Sequence, residues 1–302
     1  MLSLQTNVAA LNTQRNMNAT QNSLTTSMTR LGTGFRINSA ADDAAGLQIA
    51  TRMEAQTRGM TVAMKNTQNG ISLMQTAEGA LSEVSNIVLR MKDLATESAS
   101  GAANDDDRKA MQAEYDALGS ELNNIVKNTA FAGQVLLDKA NGKLKGTVDF
   151  QIGASQGEKL TVDVSAAIGN LDKALKDITA KFADAPATPP APPPAPAPAS
   201  SLGTEIVKAS DANGKLATLN TAIDTIGSLR AALGAYSNRM EHTYNNLSNM
   251  TTNTTVARSR IMDTDYASET ANQTSKQMLM QAGTAMLKQS GSMNQLVMSL
   301  MQ

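Results

Sequence analysis

The chain has 302 residues, with 26 Lys and Arg against 27 Asp and Glu, no cysteine and no tryptophan. Without cysteine, disulfides, zinc–thiolate sites and thiol catalysis are excluded, and an even charge balance with no basic face argues against nucleic-acid binding. No apolar run approaches the ~18 residues of a membrane span, and the opening stretch MLSLQTNVAALNTQRN lacks the basic and apolar regions of a secretory signal peptide.

Aromatic residues are sparse and methionines number 18. Small and flexible apolar residues of this kind suit extended helix–helix seams. Residues 1–41 read as a thin helix and a connector. Leu4, Val8 and Leu11 follow 4,3 spacing, Leu24, Met28, Leu31 and Phe35 resume it after a polar middle, and Gly32-Thr33-Gly34 breaks it. So few apolar residues make a stable seam only with partners.

Residues 42–130 are predicted to form two helices. Met53, Met60, Thr67, Met74, Leu81, Val88 and Ala95 recur every seventh residue, with Ala63, Ala77, Val84 and Met91 interleaved. This is an a/d heptad seam. Ser39-Ala40-Ala41-Asp42 reads as a capping box at its start. A helix from about Asp42 to Ala99 would run about 80 Å, which predicts a rod. Gly59, Gly70 and Gly79 weaken it by roughly 1 kcal/mol each. Asn104 and Asp105–Asp107 are placed to cap a second helix, since a calcium loop would need alternating ligands and a turn glycine that are missing. Met111, Tyr115, Leu118, Leu122 and Ile125 then predict a shorter antiparallel helix.

The period changes in residues 131–184. Val148, Phe150 and Ile152 alternate, as do Leu160, Val162 and Val164, predicting a β-hairpin with its loop at Ala154–Gly157. All eight prolines lie between Pro186 and Pro198, so residues 185–203 read as an exposed polyproline-type surface segment. In residues 204–262, Leu219, Ile226, Leu233, Met240, Leu247 and Thr254 mark a return helix. Residues 263–302 follow an interruption at Asp263-Thr264-Asp265, and carry Leu279, Met286, Met293 and Leu300 at sevens with Ala282 and Leu296 between them. The predicted fold is mainly α: a long antiparallel coiled-coil rod with terminal coiled-coil helices and a small β-hairpin region. The terminal seam would pair Leu4, Val8 and Leu11 with Leu279, Met286, Met293, Leu296 and Leu300. The lone histidine, His242, has asparagine four residues on, so it is not half of a zinc-protease motif. No catalytic constellation, metal site or cofactor is expected.

Two stretches carry a family resemblance. GFRINSAADDAAGLQIATRM (34–53) resembles the N-terminal signature of bacterial flagellins, and residues 263–302 resemble their C-terminal one. NTAFAGQVLLD (128–138) with QIGASQGEKLTVDV (151–164) is similar to their junction between rod and hairpin. The resemblance covers roughly 1–166 and 204–302. It implies a subunit of the flagellar filament, secreted unfolded through the flagellum's own channel. Its partners would be further copies of itself, the export apparatus, an export chaperone, and the cap and hook-junction proteins, with neither nucleic acid nor membrane among them. A hook–filament junction protein is the nearest alternative, and an intracellular coiled-coil adaptor the one from another class. The resemblance also implies a contact for the innate receptor Toll-like receptor 5 at Arg90, Leu94 and Glu114, with Arg90 and Leu94 sharing an exposed helical face. Large outer domains are absent, leaving only the Ala/Pro-rich stretch.

Overall fold

The computed structural model describes residues 7–182 and 203–300, with side chains described to residue 292. Helices α1 (Val8–Thr33), α2 (Ala44–Ser98) and α3 (Asp105–Asn128) lead into strands β1 (Ala130–Phe131), β2 (Gln134–Val135), β3 (Val148–Gln151) and β4 (Lys159–Val162). Helices α4 (Ser165–Ile178), α5 (Ala209–Met262) and α6 (Tyr266–Leu300) complete the chain. The predicted Pro-rich segment lies outside the described residues. The protein is mainly α, and among the described residues the strands form two antiparallel pairs. It divides into two compact units, residues 59–249 and the paired ends 1–58 with 250–302.

In the first unit the heptad seam of α2 is the core. Met60, Ala63, Thr67, Met74, Ala77, Leu81, Val84, Val88, Met91 and Ala95 are all buried, as are Leu219, Ile226, Leu233, Met240 and Leu247 of α5. The helices run antiparallel, since Met60 and Ala63 cluster with Leu247, whereas Glu78 further along α2 meets Arg230 earlier in α5 at 2.8 Å. Helix α3 covers another face of α2 through Tyr115, Leu122 and Val126. Its start is a capping box: the Asn104 side chain accepts from the backbone N–H groups of Asp106 and Asp107, and the Asp107 carboxylate accepts from that of Asn104. Arg108 donates back to the carbonyls of Ser98 and Ser100 at the end of α2, each at 3.0 Å.

The hairpin pairs Val148 with Val162 and Phe150 with Leu160, so the alternating apolar residues face the same core. Two of the glycines predicted to weaken α2 admit this hairpin. A Cβ at Gly59 would lie 2.7 Å from the Ala154 Cβ, and one at Gly70 would lie 3.2 Å from Phe150 Cδ1. Gly79 has no neighbour within 4 Å. Residues 131–184 are more than a hairpin, however. Helix α4 buries Ile168, Leu171, Leu175 and Ile178 in the core.

In the second unit, α1 ends at Gly34 (φ 77°), whose N–H donates to the Arg30 carbonyl at 2.8 Å. Phe35 and Asp263 then pair as an antiparallel bridge, and Ile37, Ala50 and Met262 form a small core. The predicted capping box at Ser39 is replaced by another device. Asp42 accepts from Asn38 N–H and from both the N–H and hydroxyl of Ser39, which holds its carboxyl below the usual carboxylate range. Asp43, adjacent to the first turn, is the residue that caps α2, accepting from Gly46 N–H at 2.8 Å.

Candidate assembly and recognition surfaces

Helices α1 and α6 pack along each other with heptad spacing, but through a thin seam. The less exposed positions on α1 are Ala10, Thr13, Met17, Thr20, Leu24, Ser27 and Leu31; on α6 they are Glu269, Gln273, Lys276, Met280, Gly283, Leu287 and Ser290. Small residues alternate with Met17, Leu24, Leu31, Met280 and Leu287, and Thr13 and Thr20 turn their hydroxyls to the carbonyls of Ala9 and Asn16 one turn back. Their backbone-bonded hydroxyls need no partner across the seam. Polar contacts tie the pair: Asn7 Nδ2 donates to Ser290 O at 3.1 Å, and Lys276 Nζ to Ser27 Oγ at 2.8 Å.

A second set of large apolar residues lies off this seam. Val8 is 59% exposed, Leu11 50%, Leu279 58% and Met286 64%. On α1, Val8 and Leu11 lie nearly opposite the seam that meets α6, a consequence of 100° per residue. The predicted pairing of Val8 and Leu11 with Leu279 and Met286 therefore does not occur within the chain. The physical reason is that the two helices already share another apolar set at sevens, Met17, Leu24 and Leu31 on α1 with Met280 and Leu287 on α6, which turns Val8, Leu11, Leu279 and Met286 away from the seam. Leu4 lies outside the described residues, and Met293, Leu296 and Leu300 lie on α6 beyond the described side chains.

On α2, Arg90 and Glu114 of α3 are brought together. Arg90 Nε donates to Glu114 Oε1 at 2.8 Å, and both side chains are about half exposed. Leu94 does not join them at the surface. It is 2% exposed, inside the main core. The expected exposed Arg90–Leu94 face is corrected accordingly: a two-helix seam would leave Leu94 at its edge, but here α3 and the chain near Ile206 enlarge the core that takes it in.

One polar cluster had no motif to announce it. Gln112 donates to Asp116 and to Glu205, each at 2.8 Å, and accepts from Ile206 N–H at 2.8 Å. Asp116 accepts from Gly203 N–H at 2.7 Å, Glu205 from Ala180 N–H at 2.9 Å, and Ser98 donates its hydroxyl to the Ile206 carbonyl. Beside it, Tyr115 donates to the Ile178 carbonyl at 2.8 Å, and burial pushes its phenol well above the usual range. The cluster joins both flanks of the Pro-rich segment to α3. Among the described residues no group of three or more His, Cys, Asp or Glu could hold a metal ion, and no helix is long and apolar enough to cross a membrane.

A helical chain that satisfies its own core in one unit and leaves Val8, Leu11, Leu279 and Met286 exposed on its terminal helices fits a structural subunit completed by neighbours. The bacterial flagellin N-terminal helical region matches residues 4–142 and the C-terminal helical region residues 216–301. Polar flagellin F of Vibrio parahaemolyticus is 34% identical, with 99% of each chain covered, and flagellin A of Vibrio anguillarum 35% identical, with 100% of each covered. The chain belongs to the bacterial flagellins: it is a structural subunit of the flagellar filament and not an enzyme. The crystal structure of Bacillus cereus flagellin is 28% identical, with a TM-score of 0.46, covering 61% of this chain and 88% of that one. The junction-protein and adaptor readings are set aside.

Proposed function

We propose that polymerisation is driven by the outward apolar residues of the two terminal helices, Val8 and Leu11 on α1 and Leu279 and Met286 on α6. Leu4, Met293, Leu296 and Leu300 extend the same sets. The observation that carries this reading is their exposure beside an already formed α1–α6 seam. Burying four such side chains between subunits is worth roughly 1.5–3 kcal/mol each. In this division, residues 1–41 and 263–302 are the assembly segments, 42–130 and 204–262 the rod helices, 131–184 the hairpin region and 185–203 the outer surface.

A thin seam also suits a chain secreted unfolded through the flagellum's own channel, delivered there by an export chaperone and folded at the growing end against cap and hook-junction proteins. The Arg90–Glu114 pair, supported from below by Leu94, is the surface we assign to Toll-like receptor 5.

The test is Leu279→Asp with Met286→Asp. Both positions are exposed, so the variant should keep wild-type circular dichroism and melting as a monomer yet form no filaments under the microscope. Brief trypsin treatment of wild-type monomers should cut at Arg15, Arg30, Arg36, Lys276 and Lys288 before Arg90 or Arg230, and filaments should protect those terminal sites. Filaments of normal yield from the double variant would overturn the assignment.

A further inference from the structure

We infer that Ser27, Arg30, Glu269 and Lys276 set the register in which the two terminal helices pair. The inference stands on the helix pair itself and holds whichever apolar residues drive polymerisation.

The seam has little steric means of fixing its own register. Ala10, Thr13, Thr20 and Gly283 are small, and one modest apolar side chain, Met17, Leu24, Met280 or Leu287, recurs about every seven residues. A slide of one heptad would move Met17 from Gly283 to Ser290 or Lys276, a change that a flexible methionine can absorb. Registers that differ by whole heptads are separated in coiled coils by polar residues placed in the seam.

Two such contacts sit near the start of α6. Lys276 Nζ donates to Ser27 Oγ at 2.8 Å and to the Ser23 carbonyl at 3.3 Å. One heptad earlier, Glu269 is only 8% exposed and its carboxylate lies 4.0 Å from the Arg30 guanidinium. Arg30 Nε is itself buried without a hydrogen-bond partner, so Glu269 is the partner within the seam that offsets this arginine, with Asp42 acting on it from outside the seam.

Each slip meets a specific penalty. If α6 moves so that every place is taken by the residue seven later, Lys276 arrives opposite Arg30. Two cations would then share a partly dehydrated site, and Glu269 would lose its partner. If α6 moves the other way, Glu269 arrives opposite Ser27, while Arg30 faces the turn that precedes Tyr266. The buried carboxylate of Glu269 would then lose its cation, which costs more than the pair itself contributes, while Arg30 would exchange it for the turn that carries Asp263 and Asp265. A purely apolar seam would leave the Phe35–Asp263 bridge to resist either slip by itself.

The chain has no cysteine, so engineered cysteines report register without background. A Cβ at Gly283 would stand 3.3 Å from Met17 Cγ, close enough for Gly283→Cys to form a disulfide with Met17→Cys. With Gly283→Cys held fixed, Leu24→Cys reports the first slip and Ala10→Cys the second. Oxidised filaments of the natural seam should give the intrachain cross-link with Met17→Cys alone. Replacing Arg30, Glu269 and Lys276 together by leucine should raise cross-linking at Leu24→Cys or Ala10→Cys by roughly tenfold, the step expected if the charges supply one decade of discrimination. Exchanging the charges, Arg30→Glu with Glu269→Arg, keeps the native pair but sets a carboxylate against Lys276 in the first slip. It should therefore raise the Leu24→Cys product and leave the Ala10→Cys product unchanged. Should the leucine variant fail to assemble, the charge exchange decides. Cross-linking through Met17→Cys alone in that variant would overturn the inference.

Discussion

The two units use the same seven-residue period to opposite ends. Along α2 and α5 the larger apolar side chains fill the seam: Met74, Leu81 and Val88 on one helix, and Ile226, Leu233 and Met240 on the other, are all buried. Along α1 and α6 small and polar residues interrupt a thinner apolar set, and a second set, Val8, Leu11, Leu279 and Met286, points to solvent. Periodicity therefore reports that a helix has a stripe, but not whether its own chain or another subunit covers that stripe.

The comparison can be broken first at its strongest point. Leu81→Ala empties a fully buried place in the α2 seam and should lower unfolding free energy by about 2–5 kcal/mol in a denaturant titration. Leu279→Ala, at an equally regular heptad place, should leave the monomer's titration unchanged and slow filament growth instead. Equal destabilisation by the two substitutions would erase the distinction between the units.

Arg90 and Leu94 sharpen it within one turn of helix. Leu94→Ala should destabilise the central unit by about 2–5 kcal/mol and should alter receptor activation only as far as it loosens the fold. Arg90→Ala removes an exposed ion pair and should cost under about 1 kcal/mol, yet it should reduce receptor signalling by well-folded monomers across a full dose curve. Unchanged signalling would remove Arg90 from the proposed contact.

The smallest effect concerns two glycines of α2. Gly59→Ala would crowd Ala154 at 2.7 Å and should destabilise by about 1–3 kcal/mol through overpacking. Gly79→Ala meets nothing within 4 Å and should stabilise by about 0.4–1 kcal/mol. Thermal melts of the two variants moving in the same direction would contradict the close approach of the hairpin.

Much of this is legible in the sequence because strong apolar periodicity and cap residues act locally. The α2 and α5 seams, the Asn104 cap and the alternation of β3 and β4 all follow from residue types at fixed spacing. Helix α4 carries a usable signal too, with Ile168, Leu171, Leu175 and Ile178 at helical spacing, which the expectation of a hairpin alone leaves unused. The α1–α6 seam is legible only in part: Leu24 and Leu31 belong to the spaced apolar residues of α1, but Ala10, Thr13 and Gly283 have no apolar signature. The burial of Leu94 depends on a third element, which a two-helix heptad pattern does not include. The polar cluster joins Gln112 to Glu205, 93 positions further along the chain, and no local rule reaches that far.

Ala180 and Gly203 are fastened to side chains that share Gln112, so whatever joins them is a closed loop whose two feet are already fixed. The entropy of closing such a loop grows only logarithmically, by about 0.6 kcal/mol for each doubling of its length. Residues can be added or removed between those feet at little thermodynamic penalty, while the helices beneath keep their geometry. Length between those feet is therefore a quantity a lineage can vary without redesigning the helices that hold them.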